Sequence, residues 1–285
     1  MEIELEYVQC PVCGPSQTAV WLNDGKPTQY LRCKGCGTVF ASPRLAQKAR
    51  HARTELAWSY SPKLLSFEAR RHAALKQEAE FIQQHISRGR FLDIGCSSGD
   101  FFKFFPQPTW KRYGVELSSS AAAYAAQAYA AQVIAGTLHF ANWPNEFFEL
   151  VSMIDMFYYV DDPKEELREI KRILKPDGIL AIEITGQAYM FFRSRGLITL
   201  MMEGRWSRLN SASHLFWFNP TGLRKLLEKS GFRSIAWRIV PSPIPPNRFS
   251  HFISSGYYHI YSVLAGHSMN LLNWAPKYIC LAQRG

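Results

Sequence analysis

Residues 91–102 read FLDIGCSSGDFF. A short apolar run ends in an acid, Asp93, and small residues follow at Gly95, Ser97 and Gly99. This is the pattern of a strand that turns sharply into a helix, the point at which an open α/β sheet offers backbone N–H groups to a ligand. A loop built for pyrophosphate would carry glycine at all three small positions. Here the middle one is Ser97, and a carboxylate stands at the mouth, where it would repel phosphate. The expected ligand therefore carries an ammonium group and no phosphate.

Outward from that loop the chain alternates strand and helix. RYGVELS predicts the next strand and SSAAAYAAQAYAA a helix; QVIAG and FELVSMIDM predict two more strands. SGDFFKFF is expected to open a helix, and DPKEELREIKRILKPDG to form a capped amphipathic helix with Gly178 just past its end. GILAIEIT, RSIAWRIV and KYICLAQR complete the strands, with the helix NPTGLRKLLEKSGF among them. Repeated βα units imply a doubly wound parallel sheet whose ligands bind beyond the carboxyl ends of its strands. The strand GVELS ends in Glu116, 17 residues after Gly99, where one carboxylate can accept both hydroxyls of a ribose. S-adenosylmethionine (SAM) meets every condition: an amino-acid end, a ribose, an adenine, a sulfonium and no phosphate.

Four of the six cysteines form CPVCG (Cys10, Cys13) and CKGCG (Cys33, Cys36), two C-x2-C pairs separated by 19 residues. That spacing is a four-thiolate zinc signature. Gly14 and Gly37 follow the second cysteine of each pair and permit the positive φ that aims backbone N–H groups at sulfur. With no open coordination position, the metal is expected to fold the ribbon rather than do chemistry. Cys96 and Cys280 are expected to be small apolar residues.

FLDIGCSSGDFF, YGVELS and FELVSMIDMFYYVDDPKEELREIKRILKPDGILAIEI together resemble the class I SAM-dependent methyltransferases, in particular those acting on quinones and other small molecules. The resemblance implies an α/β, Rossmann-like seven-stranded sheet with an antiparallel last strand. It implies that Asp93, Gly95, Ser97 and Gly99 bind the methionine and ribose parts of SAM. Glu116 would take the ribose hydroxyls, Leu117 would pack on the adenine, and Thr137 and Leu138 would flank its edge. Asp155 and Met156 would face the cofactor near the sulfonium. Relatives carry a histidine in the loop after the fourth strand, where this sequence has Tyr159. The base is therefore sought among His214, Tyr158, Tyr159 and Glu183. An N-terminal four-cysteine ribbon is similar to that of sugar and natural-product methyltransferases, through Ser42-Pro43-Arg44 and His214-Leu215-Phe216, and to that of certain ribosomal RNA methyltransferases. The long C-terminal domain of sugar C-methyltransferases has no counterpart.

The expected organisation is a zinc ribbon over residues 1–42, a helical connector over 43–88, and a methyltransferase domain over 89–285. The connector is expected to hold a helix over SPRLAQKARHARTELAWSY and a second from Lys63 to Ile86. Two aromatic-rich insertions, at about 186–218 and 241–276, are candidate lids or pocket walls.

The chain of 285 residues carries a net charge of +10 and is 47% hydrophobic. An acidic N-terminus without an apolar core run predicts no secretory signal, and no long apolar run predicts a membrane span. A cytoplasmic protein is expected. Ten Lys/Arg face two Glu between residues 185 and 250, a field that suits an anionic partner. Arg193, Arg195, Arg205 and Arg208 flank GLITLMM, which could grip a phosphate-bearing acceptor or rest on a membrane surface. The leading expectation is methyl transfer to a small molecule of sugar or secondary-metabolite type, with RNA as the alternative acceptor and a non-catalytic scaffold behind both. The oligomeric state is not legible.

Overall fold

In the computed structural model, residues 4–23, 28–57, 62–194, 214–241, 256, 258–260, 263 and 272–285 are described. Arg195, Arg205, Arg208, Arg248, the GLITLMM run and most of the 241–276 insertion lie outside them.

The N-terminal part holds short strands β1 (Leu5–Glu6), β2 (Thr18–Leu22), β3 (Tyr30–Cys33), β4 (Val39–Ala41) and β5 (Arg44–Leu45). Helices α1 (Gln47–Ala57) and α2 (Pro62–Gln83) follow. The alternating region then supplies β6 (Gly89–Ile94), β7 (Trp110–Glu116), α3 (Ser119–Tyr129), β8 (Gln132–Ala135), α4 (Leu138–Ala141), β9 (Phe148–Ile154), α5 (Pro163–Ile173) and β10 (Leu174–Ile184). After α6 (Gln187–Ser194) come β11 (Phe216–Trp217), α7 (Pro220–Lys229), β12 (Phe232–Val240) and β13 (Lys277–Arg284).

Seven strands form one sheet in the order β12-β13-β10-β9-β6-β7-β8. The five from β10 to β8 run parallel, and β13 is antiparallel to both β10 and β12. This is the expected architecture, including the antiparallel last strand KYICLAQR. Strand order reverses between β6 and β9, so the crevice beyond their carboxyl ends is where a ligand should sit. Among the described residues no helix is long and apolar enough to cross a membrane.

Three local expectations are corrected. SGDFFKFF makes only a five-residue 3-10 turn, Asp100–Phe104. Phe101, Phe102 and Phe105 are all buried around Phe91 and Trp110, which is not the single stripe of a longer helix, and Pro106 ends the segment. The helix capped by Asp162 stops at Ile173, where Leu174 turns extended and starts β10, so Gly178 is no helix terminus. Gly178 instead leaves room for Leu174, whose Cγ would lie 2.8 Å from an added Cβ. The first connector helix begins only at Gln47, because Arg44–Leu45 pairs with Leu5–Glu6 as a strand and Arg44 Nε donates to Glu6 at 2.6 Å.

The ribbon is not a separate lobe. Its sheet has the order β11-β4-β3-β2, and β11 lies beyond residue 186 in the chain. Cys10, Val12, Cys33, Cys36 and Phe40 share one apolar core with Leu92, Val151 and Leu226. Asn219 ties the two parts together. Its Oδ1 caps α7 by accepting the Gly222 N–H at 2.7 Å, while its Nδ2 donates to the Cys36 carbonyl at 2.9 Å. Lys229, at the other end of α7, donates to the Val12 carbonyl at 2.9 Å. Substituting Asn219→Ala removes a cap and a buried hydrogen bond at once. The expected loss is about 1–3 kcal/mol of stability, read as a lower urea midpoint with an unchanged m-value.

Candidate active site

A cavity of about 470 Å³ opens at the strand-order reversal, a volume typical of a small-molecule site. Of the fourteen residues expected to bind cofactor or to be considered as base, all line it except Asp93, Gly99 and Glu183. Glu116, buried at the end of β7, accepts the Ser97 N–H at 2.9 Å and the Ser118 N–H at 2.8 Å, one on each carboxylate oxygen. Both oxygens retain acceptor capacity. Leu117 follows, with Thr137 and Leu138 opposite at the start of α4, where the Thr137 hydroxyl caps the helix.

The loop residues divide their work. Gly95 has φ +72°, and a Cβ there would meet the Met156 side chain at 2.8 Å. Gly99 has φ +81° and lies against α3, with Ala125 and Tyr129 within 2.9 Å of an added Cβ. It serves helix packing rather than the cavity wall. Ser97 also has positive φ, and its buried hydroxyl has no protein partner among the described residues. Asp93 lies beneath the loop, 3% exposed, accepting the Ser152 hydroxyl at 2.5 Å.

These features fit SAM. A carboxylate suited to a diol, a wall of Leu117 and Leu138, and an unpartnered buried hydroxyl line one cavity, and none of them needs a phosphate. The lining also carries three carboxylates, Asp155, Asp161 and Glu166, beside Arg71, His51 and His214.

The other end of the cavity is aromatic and charged. The Tyr159 hydroxyl lies 3.3 Å from His214 Nε2, and the His214 ring stacks on Trp217 at 4.8 Å and 18°. Burial pulls His214 down to about 4, so the imidazole is neutral at physiological pH. Burial and the nearby Asp155 carboxylate push both tyrosines up, so both remain protonated. Tyr158 donates to Asp155, which stands in the left-handed region at φ 59° and also holds Lys277.

Lys277 begins β13 and is 6% exposed; its Nζ also reaches Glu183 at 3.2 Å. Arg71 lies 3.7 Å from Asp155 and lines the cavity. Two cations and the carboxyls of Asp155, Glu183 and Glu78 therefore form one buried cluster. Burial opposes charge on Asp155, but Lys277 and Arg71 outweigh it and hold this carboxylate well below its usual range. Burial pushes Glu78 up to about 7 and Glu183 well above the ordinary value. Glu183 is therefore a buried acid held by Lys277, not a cavity group.

Sequence reasoning missed Arg71, Glu78 and Lys277. The signal was present in α2: Arg71 and Glu78 fall on the same helical stripe as the buried Leu75, Ala79 and Ile82. A second missed cluster closes the cavity rim. Asp161 accepts from Gln47 at 2.7 Å and lies 2.8 Å from His51 Nε2, and Arg50 pairs with it. Burial raises Asp161, but His51 and Arg50 prevail and hold it at about 2. Helix α1 is thereby fastened to the turn that follows β9.

The four ribbon cysteines bring their sulfurs within 4.8 Å of one another, and all are free thiols. A tetrahedral zinc at about 2.3 Å from each sulfur needs separations of about 3.8 Å, so the donor set fits zinc. Gly14 (φ +72°) and Gly37 (φ +75°) adopt the expected turn, and the Cys13 N–H points at Cys10 Sγ at 3.4 Å.

A family profile described as "Methyltransferase domain" matches residues 67–236. An uncharacterized protein of Methanocaldococcus jannaschii is 32% identical over 111 residues, covering 38% of this chain and 51% of that protein. The chain spans about half the length of the curated relatives it matches. Among solved structures, the Haloferax volcanii complex of the Trm112 methyltransferase activator with a methyltransferase aligns with a TM-score of 0.56 and 16% identity, over 81% of this chain and 97% of that one. A Burkholderia thailandensis 1,6-didemethyltoxoflavin-N1-methyltransferase, solved with its substrate and S-adenosylhomocysteine, aligns with a TM-score of 0.55 and 14% identity, over 94% and 99%. These two likenesses are of fold. The matched domain spans more than half of the chain, and the protein belongs to the methyltransferase-domain family.

Proposed function

We propose that the protein methylates a hydroxyl of a small molecule, of sugar or secondary-metabolite type, with His214 as the base and Tyr159 as its partner. The observation that carries this reading is the neutral His214–Tyr159 pair in the cavity wall. Glu116 would hold the ribose hydroxyls, Leu117, Thr137 and Leu138 the adenine, and Gly95, Ser97 and Met156 the methionine chain. Asp155 and Arg71 present opposite charges to the two ends of an amino acid. Asp93 supports the loop from below, through Ser152.

When bound, SAM supplies a methyl group already activated by its sulfonium. What remains for the protein is to align the acceptor and remove its proton. The acceptor proton passes to Tyr159 Oη while the tyrosine's own proton moves to His214 Nε2, so no phenolate accumulates. Tyr158 and Lys277 fix Asp155, and through it the turn that carries both tyrosines.

A small acceptor suits this site better than RNA. His51 and Arg71 bring α1 and α2 to the cavity wall, and α7 and β11 cover one side and one edge of the ribbon. The RNA alternative would use the ribbon and the basic surface as a phosphate grip. With methyl-labelled SAM and a cell extract, label in low-molecular-weight material is expected. Label that vanishes on nuclease treatment would instead establish the RNA reading.

S-adenosylhomocysteine is expected to bind with micromolar Kd by calorimetry. Removing the diol acceptor in Glu116→Ala should cost about 2–4 kcal/mol, or at least about 30-fold in Kd. His214→Asn and Tyr159→Phe should each lower transfer by about 100-fold or more, with that Kd within about threefold of wild type. Lys277→Met leaves Asp155 without its main cation and should lose about 3–5 kcal/mol of stability at pH 8. Without Lys277 the folded-state pKa of Asp155 rises above its unfolded value, so the variant is stabilised as pH falls. The deficit in denaturant midpoint should therefore shrink between pH 8 and pH 5.

A further inference from the structure

His214 precedes the first residue of β11, and its backbone is held mainly by the ribbon. The Tyr30 hydroxyl donates to the His214 carbonyl at 2.6 Å, and the Ala41 N–H donates to the Leu215 carbonyl at 2.9 Å. Phe216 and Trp217 then pair with Phe40 and Val39. On the opposite side, a single backbone bond joins this segment to the turn after β9, from the Leu215 N–H to the Tyr158 carbonyl at 2.9 Å. Trp217 serves two structures. It packs with Leu22, Tyr30, Val39 and Ala41 as part of the ribbon's own small core, and its indole also stacks on the His214 imidazole. Tyr30 stands three residues before Cys33, and the Cys36 and Gly37 carbonyls are gripped by Asn219 and Gln187 from either side of β11. The ribbon's own core is small and much of its remaining apolar surface is shared with the sheet domain, so a four-thiolate metal would supply part of the energy that orders it.

We propose that the cysteine-held ribbon is the device that positions His214, so that the metal site and the acceptor end of the cavity behave as one unit. The functional meaning of this coupling rests on the reading of His214 as base; the coupling itself can be measured without it. Loss of the metal loosens β3 and β4, β11 loses its partner strand, and the imidazole leaves its slot among Tyr158, Tyr159 and Trp217. Glu116 and the glycine loop stand at the ends of β7 and β6, which pair with strands of the large sheet and not with the ribbon, so the cofactor end should survive.

The test follows the His214 resonance in full-length protein labelled at its histidine rings, assigned by its absence in His214→Asn. In the zinc-loaded protein this ring, surrounded by Asp155, Lys277, Tyr158 and Tyr159, should stay neutral throughout the pH range in which the thiolates hold the metal. After chelation the resonance should shift and its midpoint rise toward the ordinary value of 6.5, with S-adenosylhomocysteine binding kept within about threefold; added zinc should restore both. Tyr30→Phe, which keeps the ring in the ribbon core and removes only the hydroxyl, should move the same resonance with zinc content unchanged. That variant decides the matter if chelation unfolds the whole chain. A resonance and midpoint unmoved by chelation in a protein that still binds S-adenosylhomocysteine, or unmoved in Tyr30→Phe, would overturn the proposal. A His214 that follows the metal while His214→Asn still transfers methyl groups would refute the base assignment alone.

Discussion

The antiparallel pairing of Phe216–Trp217 with Val39–Ala41 is the contact on which the rest of the molecule depends. It pairs only two residues with two, Phe216 with Phe40 and Trp217 with Val39, yet it joins the cysteine ribbon to the sheet domain and delivers a histidine to the cavity. Neither part is complete without it. The ribbon sheet would end at β4 with an unpaired edge, and the acceptor end of the cavity would lack one wall. Asn219, immediately downstream, shows how closely the two are fitted, since one amide both starts α7 and clasps the second cysteine knuckle.

Beneath the cavity a different constraint operates. Placing Asp155, Glu183, Glu78, Lys277 and Arg71 together away from water carries a large desolvation cost, which two cations offset only in part. The cluster therefore retains protons on its carboxyls at neutral pH, and the one carboxylate kept fully ionised is the one nearest the cavity. That assignment follows from position: Asp155 pairs with both Lys277 and Arg71, whereas among the described ion pairs Glu183 is joined by Lys277 and burial dominates the weaker pull of the cations on it. Electrostatics thus fixes the turn after β9, on which Met156, Tyr158 and Tyr159 ride.

What was legible in the sequence was what is determined locally. The glycine loop, the acid at the end of β7 and the two cysteine knuckles each depend on residues a few positions apart, and their spacing carries the physics directly. The parallel α/β sheet followed from the alternation of elements, and its seven strands with an antiparallel last one from the resemblance built on it. What escaped was determined across the chain. Phe216–Trp217 lies in an aromatic run that reads as pocket lining, and nothing nearby says that its partner strand lies near residue 40. Lys277 reads as an ordinary charged start to an apolar strand. Arg71 and Glu78 were visible as charges on a buried stripe, but their partners come from β9, β10 and β13. Asp93 and Gly99 have the expected identities for reasons partly different from those assumed, one anchoring Ser152 and the other admitting α3.

The ribbon's fourth strand has a further consequence, for the order in which the chain can fold. All four cysteines lie between residues 10 and 36, so the two knuckles can come together before the residues of β11 are available. Strand β4 must then wait through nearly the whole sheet domain for the partner that covers it. During that interval it is an open edge, able to pair with any extended segment that passes. The pairing is of long sequence separation and its loop closure is correspondingly slow. The ribbon is thus begun first and finished among the last, and its closure marks the moment at which the active site becomes whole.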